Sequence, residues 1–475
     1  MPEKNCRTLT RPTLLLALVG CSAVGPTHQL PDVSPRSGWM SQAGGEIDAK
    51  VLARWWATLG DPTLEKIVDQ ALARNLDLRQ ALAGIEGARA LLARAEALST
   101  PALLAGGSVQ RRRLSTNSPE YNPQRSPSQT VSDVGIDASW EIDLFGSLQR
   151  QRESASASLQ ASEAEAAGLR LGIAAETARS YFALRGAQQE LATRRASVAA
   201  LQRIHELVRV RQAAGDLPRS ELERAQSRLD QAQAQLPGIE ARQQAALTAL
   251  GLLTGSLPEA HVALASPTDN RLTLRPVPVG ERADILRRRP DIIAAERRLA
   301  AATAETGVAT AELFPKLVLS AGAGFRALDS HNLLASDSRR GFLGPLISWR
   351  IFDGGRVRAE IHAAEARQQA AALAHEKAVL AALADAEKAL SQYEHALQSI
   401  EWQEAATEST RRVLETAEKR YALGDTTLIE VLDARREYTD QQALLVQFRS
   451  SAAADLASLF KALGGGFHGA DHPER

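Results

Sequence analysis

Several scarcities narrow what this chain can be before any motif is read. Aromatic residues make up only 4% of its 475 positions, so the rings that supply much of a compact enzyme core are few. Its two cysteines, Cys6 and Cys21, are too few for a disulfide scaffold. Basic and acidic residues number 56 each, giving a net charge of +0, so neither a nucleic-acid surface nor a funnel for acidic substrates is indicated. Past residue 20 no apolar run reaches 18 residues, which argues against a helical membrane span. Signals of catalysis are missing as well. The nine histidines show no zinc spacing, and His205-Glu206 and His375-Glu376 lack the second histidine of H-E-x-x-H. Gly322-Ala-Gly324 is a lone G-x-G inside a strand pattern, which fits close backbone approach better than a nucleotide. Neither an enzyme nor a cofactor is expected.

What the chain does have is a copy of itself. Ser139–Ser147 (S-W-E-I-D-L-F-G-S) and the stretch from Ser348 (S-W-R-I-F-D-G-G-R) read as the same switch from strand to helix. Trp140 and Trp349 are 209 residues apart, and the same offset relates Gly215-Asp216 to Gly424-Asp425, Glu221 to Glu430 and Gly255 to Gly464. An offset of 214 relates Asp77 to Asp291 and Pro101 to Pro315. Fixed offsets of this kind mark an internal duplication, whose unit is strand, long helix, Gly-Asp turn, helix.

The N-terminus reads as an export signal over residues 1–20. Lys4, Arg7 and Arg11 precede the short apolar run Leu14–Val19, and Leu18-Val-Gly-Cys21 resembles a lipobox, with Cys21 as the lipidated residue. Ser22 follows, where aspartate would signal inner-membrane retention. Residues 21–60, rich in Pro, Gly and Ser, read as an extended linker. The first repeat, 61–255, opens with Asp61-Pro62 as a helix start and a helix from about Thr63 to Ser99, stopped by Pro101. Strands follow within about 103–144. Val134, Ile136, Ala138, Trp140, Ile142 and Leu144 alternate with Gly135, Asp137, Ser139, Glu141 and Asp143, so one face is greasy and the other polar. A soluble sandwich gives the same alternation; a length of about 10 residues and a tryptophan near one end favour a transmembrane strand.

The proline-free, Ala-rich stretch 147–214 predicts one helix roughly 100 Å long, ended by Gly215-Asp216, with a return helix from Pro218 to about Leu253. Residues 256–280 read as a linker. The second repeat, 281–464, has a helix from Arg289-Pro290 to about Leu313, strands at Lys316–Arg326 and Phe342–Phe352, and a helical hairpin at 355–463 turning at Gly424-Asp425. The tail, 465–475, reads as flexible.

One polar constellation stands out, Tyr421-Ala-Leu-Gly424-Asp425-Thr426-Thr427-Leu-Ile-Glu430-Val-Leu-Asp433. Glu430 and Asp433 share a helix face just past a tight turn. They read either as carboxylates offsetting the helix macrodipole or, if several copies converge, as an anionic ring that favours cations.

In combination, Leu18–Cys21, Ser22-Ala-Val-Gly-Pro26, Trp140-Glu-Ile-Asp-Leu-Phe-Gly146, Arg288-Arg-Pro-Asp-Ile-Ile-Ala-Ala-Glu296, Phe314-Pro315 and Arg420-Tyr-Ala-Leu-Gly-Asp425 resemble the TolC-like outer membrane factors, in their lipoprotein branch. The resemblance runs from the signal to about residue 464. It implies an α+β membrane protein: a homotrimer whose protomers each give four strands to one 12-stranded transmembrane β-barrel and paired helices to a coiled-coil periplasmic tunnel. It implies a lipid-anchored passive exit duct in the outer membrane, working with a periplasmic adaptor and an inner-membrane RND-type transporter. The tips at Gly215, Asp216, Gly424, Asp425 and Thr426 would meet the adaptor. Tyr421, Glu430 and Asp433 would line the periplasmic aperture, and Trp140 and Trp349 would mark strand ends. Better-known relatives place an arginine where this chain has Thr426. A periplasmic coiled-coil adaptor or scaffold lipoprotein is the rival reading, against which stand the two strand pairs beside long helices.

Overall fold

The structure is a computed structural model that describes residues 23–29, 38–40, 45, 48–265 and 273–465. Cys21, the export signal and residues 466–475 lie outside the described residues. In chain order the helices and strands are α1 (Ala49–Ala53), α2 (Pro62–Arg74), α3 (Leu76–Ala97), β1 (Ala102–Arg113), β2 (Ser128–Ile142), α4 (Ser147–Ala213), α5 (Arg219–Ala234), α6 (Leu236–Leu253), α7 (Ile285–Arg288), α8 (Pro290–Ala311), β3 (Lys316–Ala327), β4 (Arg339–Ser348), α9 (Arg356–Ala422) and α10 (Leu428–Ala462). Contacts divide the chain into two units, one holding the sheet (1–29, 89–158, 299–371) and one holding most of the helices (30–88, 159–298, 372–475).

In the first unit the strands form one antiparallel sheet in the order β1-β2-β3-β4. The register is unbroken, with Gly106 opposite Gly135, Gly135 opposite Gly324, and Gly324 opposite Arg340. Because side chains alternate, this register puts Leu103, Val109, Ile136, Trp140, Phe325 and Leu343 on one face. Asp133, Asp137, Arg326 and Arg340 fall on the other. The apolar face is uncovered, Leu103, Val109 and Leu343 each being about three-quarters exposed. Among the described residues, β1 and β4 each have a partner strand on one side only. Strand β4 ends at Ser348, short of the expected Phe352. Its partner β3 starts directly after Pro315, which has no N–H to carry the ladder further, and Trp349 instead donates its indole N–H to the Leu313 carbonyl at 3.0 Å.

The second unit is organised around a core where Trp55, Trp56, Leu64, Val68, Tyr181, Leu184, Tyr393, Leu459 and Phe460 are fully or nearly fully buried. Trp55 stacks on Phe460 at 5.0 Å between ring centres. The expected extended linker to residue 60 is therefore corrected: Ala49–Ala53 and Trp55–Leu59 are helical, because two tryptophans there have a core to enter. The single helix expected over 63–99 is two, parted at Asn75, which is extended (ψ 131°) and accepts from Leu78 N at 3.1 Å. Pro237, at the start of α6, lacks the N–H a continuous return helix needs, so that helix is two as well. Residues 258–265, read as linker, form a 3-10 helix.

Helices α4 and α9 are 67 residues each, about 100 Å at 1.5 Å per residue. Alanines at 174, 178, 382, 386 and 389 are nearly fully buried, so the backbones approach through small side chains.

The duplication repeats down to single contacts. Trp140 donates to Ser99 O and Trp349 to Leu313 O, both at 3.0 Å. Asn75 donates to Leu253 O at 2.9 Å, and Arg289, its counterpart, to Ala462 O at 3.1 Å. Gly255 abuts the Arg74 carbonyl as Gly464 abuts that of Arg288.

Candidate functional site: the hairpin tips and the sheet

Each long helix ends in the same way. Gly215 (φ 85°) and Gly424 (φ 78°) adopt a left-handed conformation that other residues resist. Asp216 N donates to Arg211 O and Asp425 N to Arg420 O, both at 2.9 Å, closing the last turn of α4 and α9. The return helices start differently. Pro218 provides no side-chain cap for α5, whereas Thr427 Oγ1 accepts from Glu430 N at 3.4 Å to cap α10.

The three residues expected at an aperture are close in sequence but have separate partners. Tyr421 OH accepts from Arg211 Nη1 at 3.2 Å, joining the ends of α9 and α4. Asp433 Oδ1 accepts from Arg228 Nη2 at 2.9 Å, joining α10 to α5. Glu430 accepts from the Thr426 hydroxyl, and the Arg420 guanidinium stands 3.9 Å away. Arg420 itself grips Asp425 through Nε–Oδ2 and Nη2–O, both 3.0 Å. The Asp425 carboxylate thereby raises the Arg420 pKa above its ordinary value, so this residue stays charged throughout. Arg420 reaches over the turn from the preceding helix. The Glu430 carboxylate thus lies in the first turn of α10 on the Thr426 hydroxyl, and the charge of Asp433 is offset by Arg228. Sequence reasoning did not single out Arg211 and Arg228; the signal available was their position on either side of the Gly215 turn, with partners in the other repeat.

On the polar sheet face, Asp133 accepts from Arg326 Nε at 2.6 Å and Arg340 Nη2 at 2.9 Å, and Asp137 from Arg340 Nη1 at 3.3 Å. Glycines make the crossing possible. A Cβ on Gly135 would lie 2.9 Å from Arg340 Nη2, and one on Gly322 would lie 2.3 Å from Asp137 Oδ1. Trp140 sits two residues before the end of β2 and Trp349 one residue past β4, at the helix-side rim. Beside that rim Phe145 and Phe314 stack at 4.7 Å.

An uncovered apolar face, a polar face and open edges are the marks of a sheet whose strands meet lipid. The family described as "Outer membrane efflux protein" matches residues 67–256 and 282–465, one span per repeat. The pyoverdine export outer membrane protein OpmQ of Pseudomonas putida is 32% identical over 472 residues, covering 97% of this chain and 98% of its own length. Outer membrane protein OprJ of Pseudomonas aeruginosa is 31% identical over 457 residues, covering 96% and 95%. Among solved structures, the outer-membrane channel OprN superposes with a TM-score of 0.83 at 33% identity, over 93% of this chain and 99% of its own. The chain belongs to the outer membrane efflux protein family and has that family's channel fold; its place is the outer membrane.

Proposed function

We propose that this chain is the passive exit duct of a tripartite efflux system, fed by an inner-membrane RND-type transporter through a periplasmic adaptor. The observation that carries the reading is the four-stranded sheet with an apolar outer face and two unpaired edges. Four strands cannot close a barrel, and open edges do not persist in lipid. Three copies would give 12 strands and abolish every edge. The polar face then lines the lumen, and the hairpins extend into the periplasm.

Lipidation at Cys21 is supported by the segment just after it. Ala23 packs against Gly146, and Val24 N donates to Phe145 O at 3.1 Å, at the rim where β2 passes into α4. The tips at Gly215, Asp216, Gly424, Asp425 and Thr426 are the surfaces offered to the adaptor. Docking there would splay the hairpins, break the Arg211–Tyr421 and Arg228–Asp433 ties, and widen the aperture. Relatives are named for export of pyoverdine and of solvents, and the transporter, not the duct, would select the cargo.

Single-channel recording of the detergent-purified protein in planar bilayers, with cross-linking for oligomer size, tests this. A trimer with small, cation-preferring conductance is expected. Glu430→Ala with Asp433→Ala should raise conductance and weaken the preference. A soluble monomer without current would sink the duct.

A further inference from the structure

The lipid-facing side of the sheet carries charge at one end only, and only of one sign. Register assigns 25 strand residues to that face, and the charged ones are Arg111, Arg113 and Arg339. All three lie toward the loops, at the strand ends away from the helices. They follow the apolar band directly: Val109 precedes Arg111 on the same face, and Arg339 pairs with Phe325. All three are exposed, and none has a side-chain hydrogen bond or ion pair among the described residues. The nearby carboxylates do not serve them. Asp133 points to the opposite face and is held by Arg326 and Arg340; Asp329 bonds His331, and Asp337 accepts from Ser336. Glu120, the one carboxylate in the β1–β2 loop, is exposed in that loop.

On a strand rising about 3.3 Å per residue, Leu103 to Arg111 spans about 26 Å, or roughly 20 Å along the membrane normal at a barrel tilt near 40°. The arginines therefore stand at the far edge of the hydrocarbon layer, where headgroups begin. Guanidinium matches phosphate in charge and in its fork of donors. Resting on the outer-membrane reading above, we infer that Arg111, Arg113 and Arg339 form a cationic girdle that binds the phosphates of the outer-leaflet glycolipid, lipid A. Three copies would set nine guanidinium groups around the barrel.

The full chain, purified in detergent, is titrated with bisphosphorylated lipid A and with dephosphorylated lipid A, and the same samples are recorded in bilayers. The wild type should bind the phosphorylated form at least tenfold more tightly. R111Q/R113Q/R339Q should lose that preference, on the order of fivefold per arginine, while its oligomer and conductance persist. R112Q, on the lumen face, should keep it. Equal binding of both lipids by a conducting wild type, or an unchanged preference in the triple variant, overturns the girdle alone. Loss of preference in R112Q overturns its placement on the lipid face. A wild type without conductance overturns the duct reading and the girdle with it.

Discussion

At the scale of single residues, the Arg228–Asp433 pair makes a prediction with two signs. Both side chains are a third to a half exposed, so the tie itself contributes only about 0.2–1 kcal/mol. Its members nevertheless carry opposite charges into the proposed aperture. Arg228→Ala frees the Asp433 carboxylate and should strengthen cation preference; Asp433→Ala frees the guanidinium and should weaken it. Both loosen α5 from α10 and should raise conductance. Reversal potentials under a KCl gradient read the sign, and a shift in the same direction for both would refute the placement of this pair at the aperture.

Tyr181 provides a second case. Its hydroxyl donates to Asp61 Oδ2 at 2.5 Å, while Asp61 also caps α2. Burial, and then the Asp61 carboxylate, push the Tyr181 pKa up to about 12 from 10. The neutral phenol is thus the form the fold favours, so its contribution is complete below pH 10 and is lost as pH rises through 12. Tyr181→Phe should cost about 2 kcal/mol at pH 8, in line with a hydrogen bond to a charged group. In chemical unfolding of the detergent-solubilised protein the gap to wild type should close between pH 10 and 12. A constant gap would mean the effect is packing.

At the scale of elements, Arg289 holds three helices together. At the start of α8 it bonds Asp291, and it reaches Asp385 on α9 at 3.0 Å and the last carbonyl of α10, Ala462, at 3.1 Å. Arg289→Gln should cost about 2–3 kcal/mol, because a nearly buried guanidinium is lost and its partners are left with less. Among the described residues the side chain of its counterpart Asn75 bonds only Leu253 O and Leu78 N, so Asn75→Ala should cost about 1 kcal/mol. Hydrogen exchange at the ends of α10 and α6 would register each. Equal losses would contradict the difference in wiring. Most of these elements were readable in advance because Pro101, Gly215, Pro315 and Gly424 punctuate long uniform runs. What escaped was decided by distant partners. Trp55 and Trp56 looked like linker until Phe460 supplied a stacking surface 405 residues away. Arg228 had no mark in the sequence, and only α10 brings Asp433 to it. A single Asn75 at a helix break leaves no periodicity to read, and Pro315, which stops the β3–β4 ladder, acts on Trp349 from the partner strand.

At the scale of the whole molecule, assembly turns on what faces lipid. The alternation read along β2 assigns Ile136 and Trp140 outward, and pairing carries that assignment across to Leu343 on β4. In water such a face would collapse or aggregate, and in an open four-stranded sheet the edge N–H and C=O groups of β1 and β4 would go unpaired in hydrocarbon. Lipid would cover the apolar face and closure with two further copies would pair the edges, so oligomer formation and membrane insertion would be tied together. A charge placed on the lipid face should therefore disrupt assembly, while one on the lumen face should not. Leu343→Arg should cost about 2–4 kcal/mol per protomer near mid-membrane, multiplied threefold in the trimer. Ser320→Arg, on the polar face beside Ser139, meets water and should assemble normally. Cross-linked trimer yield in outer-membrane fractions distinguishes them. If both variants assembled equally well, the sheet would have no lipid face, and the register assignment from which the duct is built would fall.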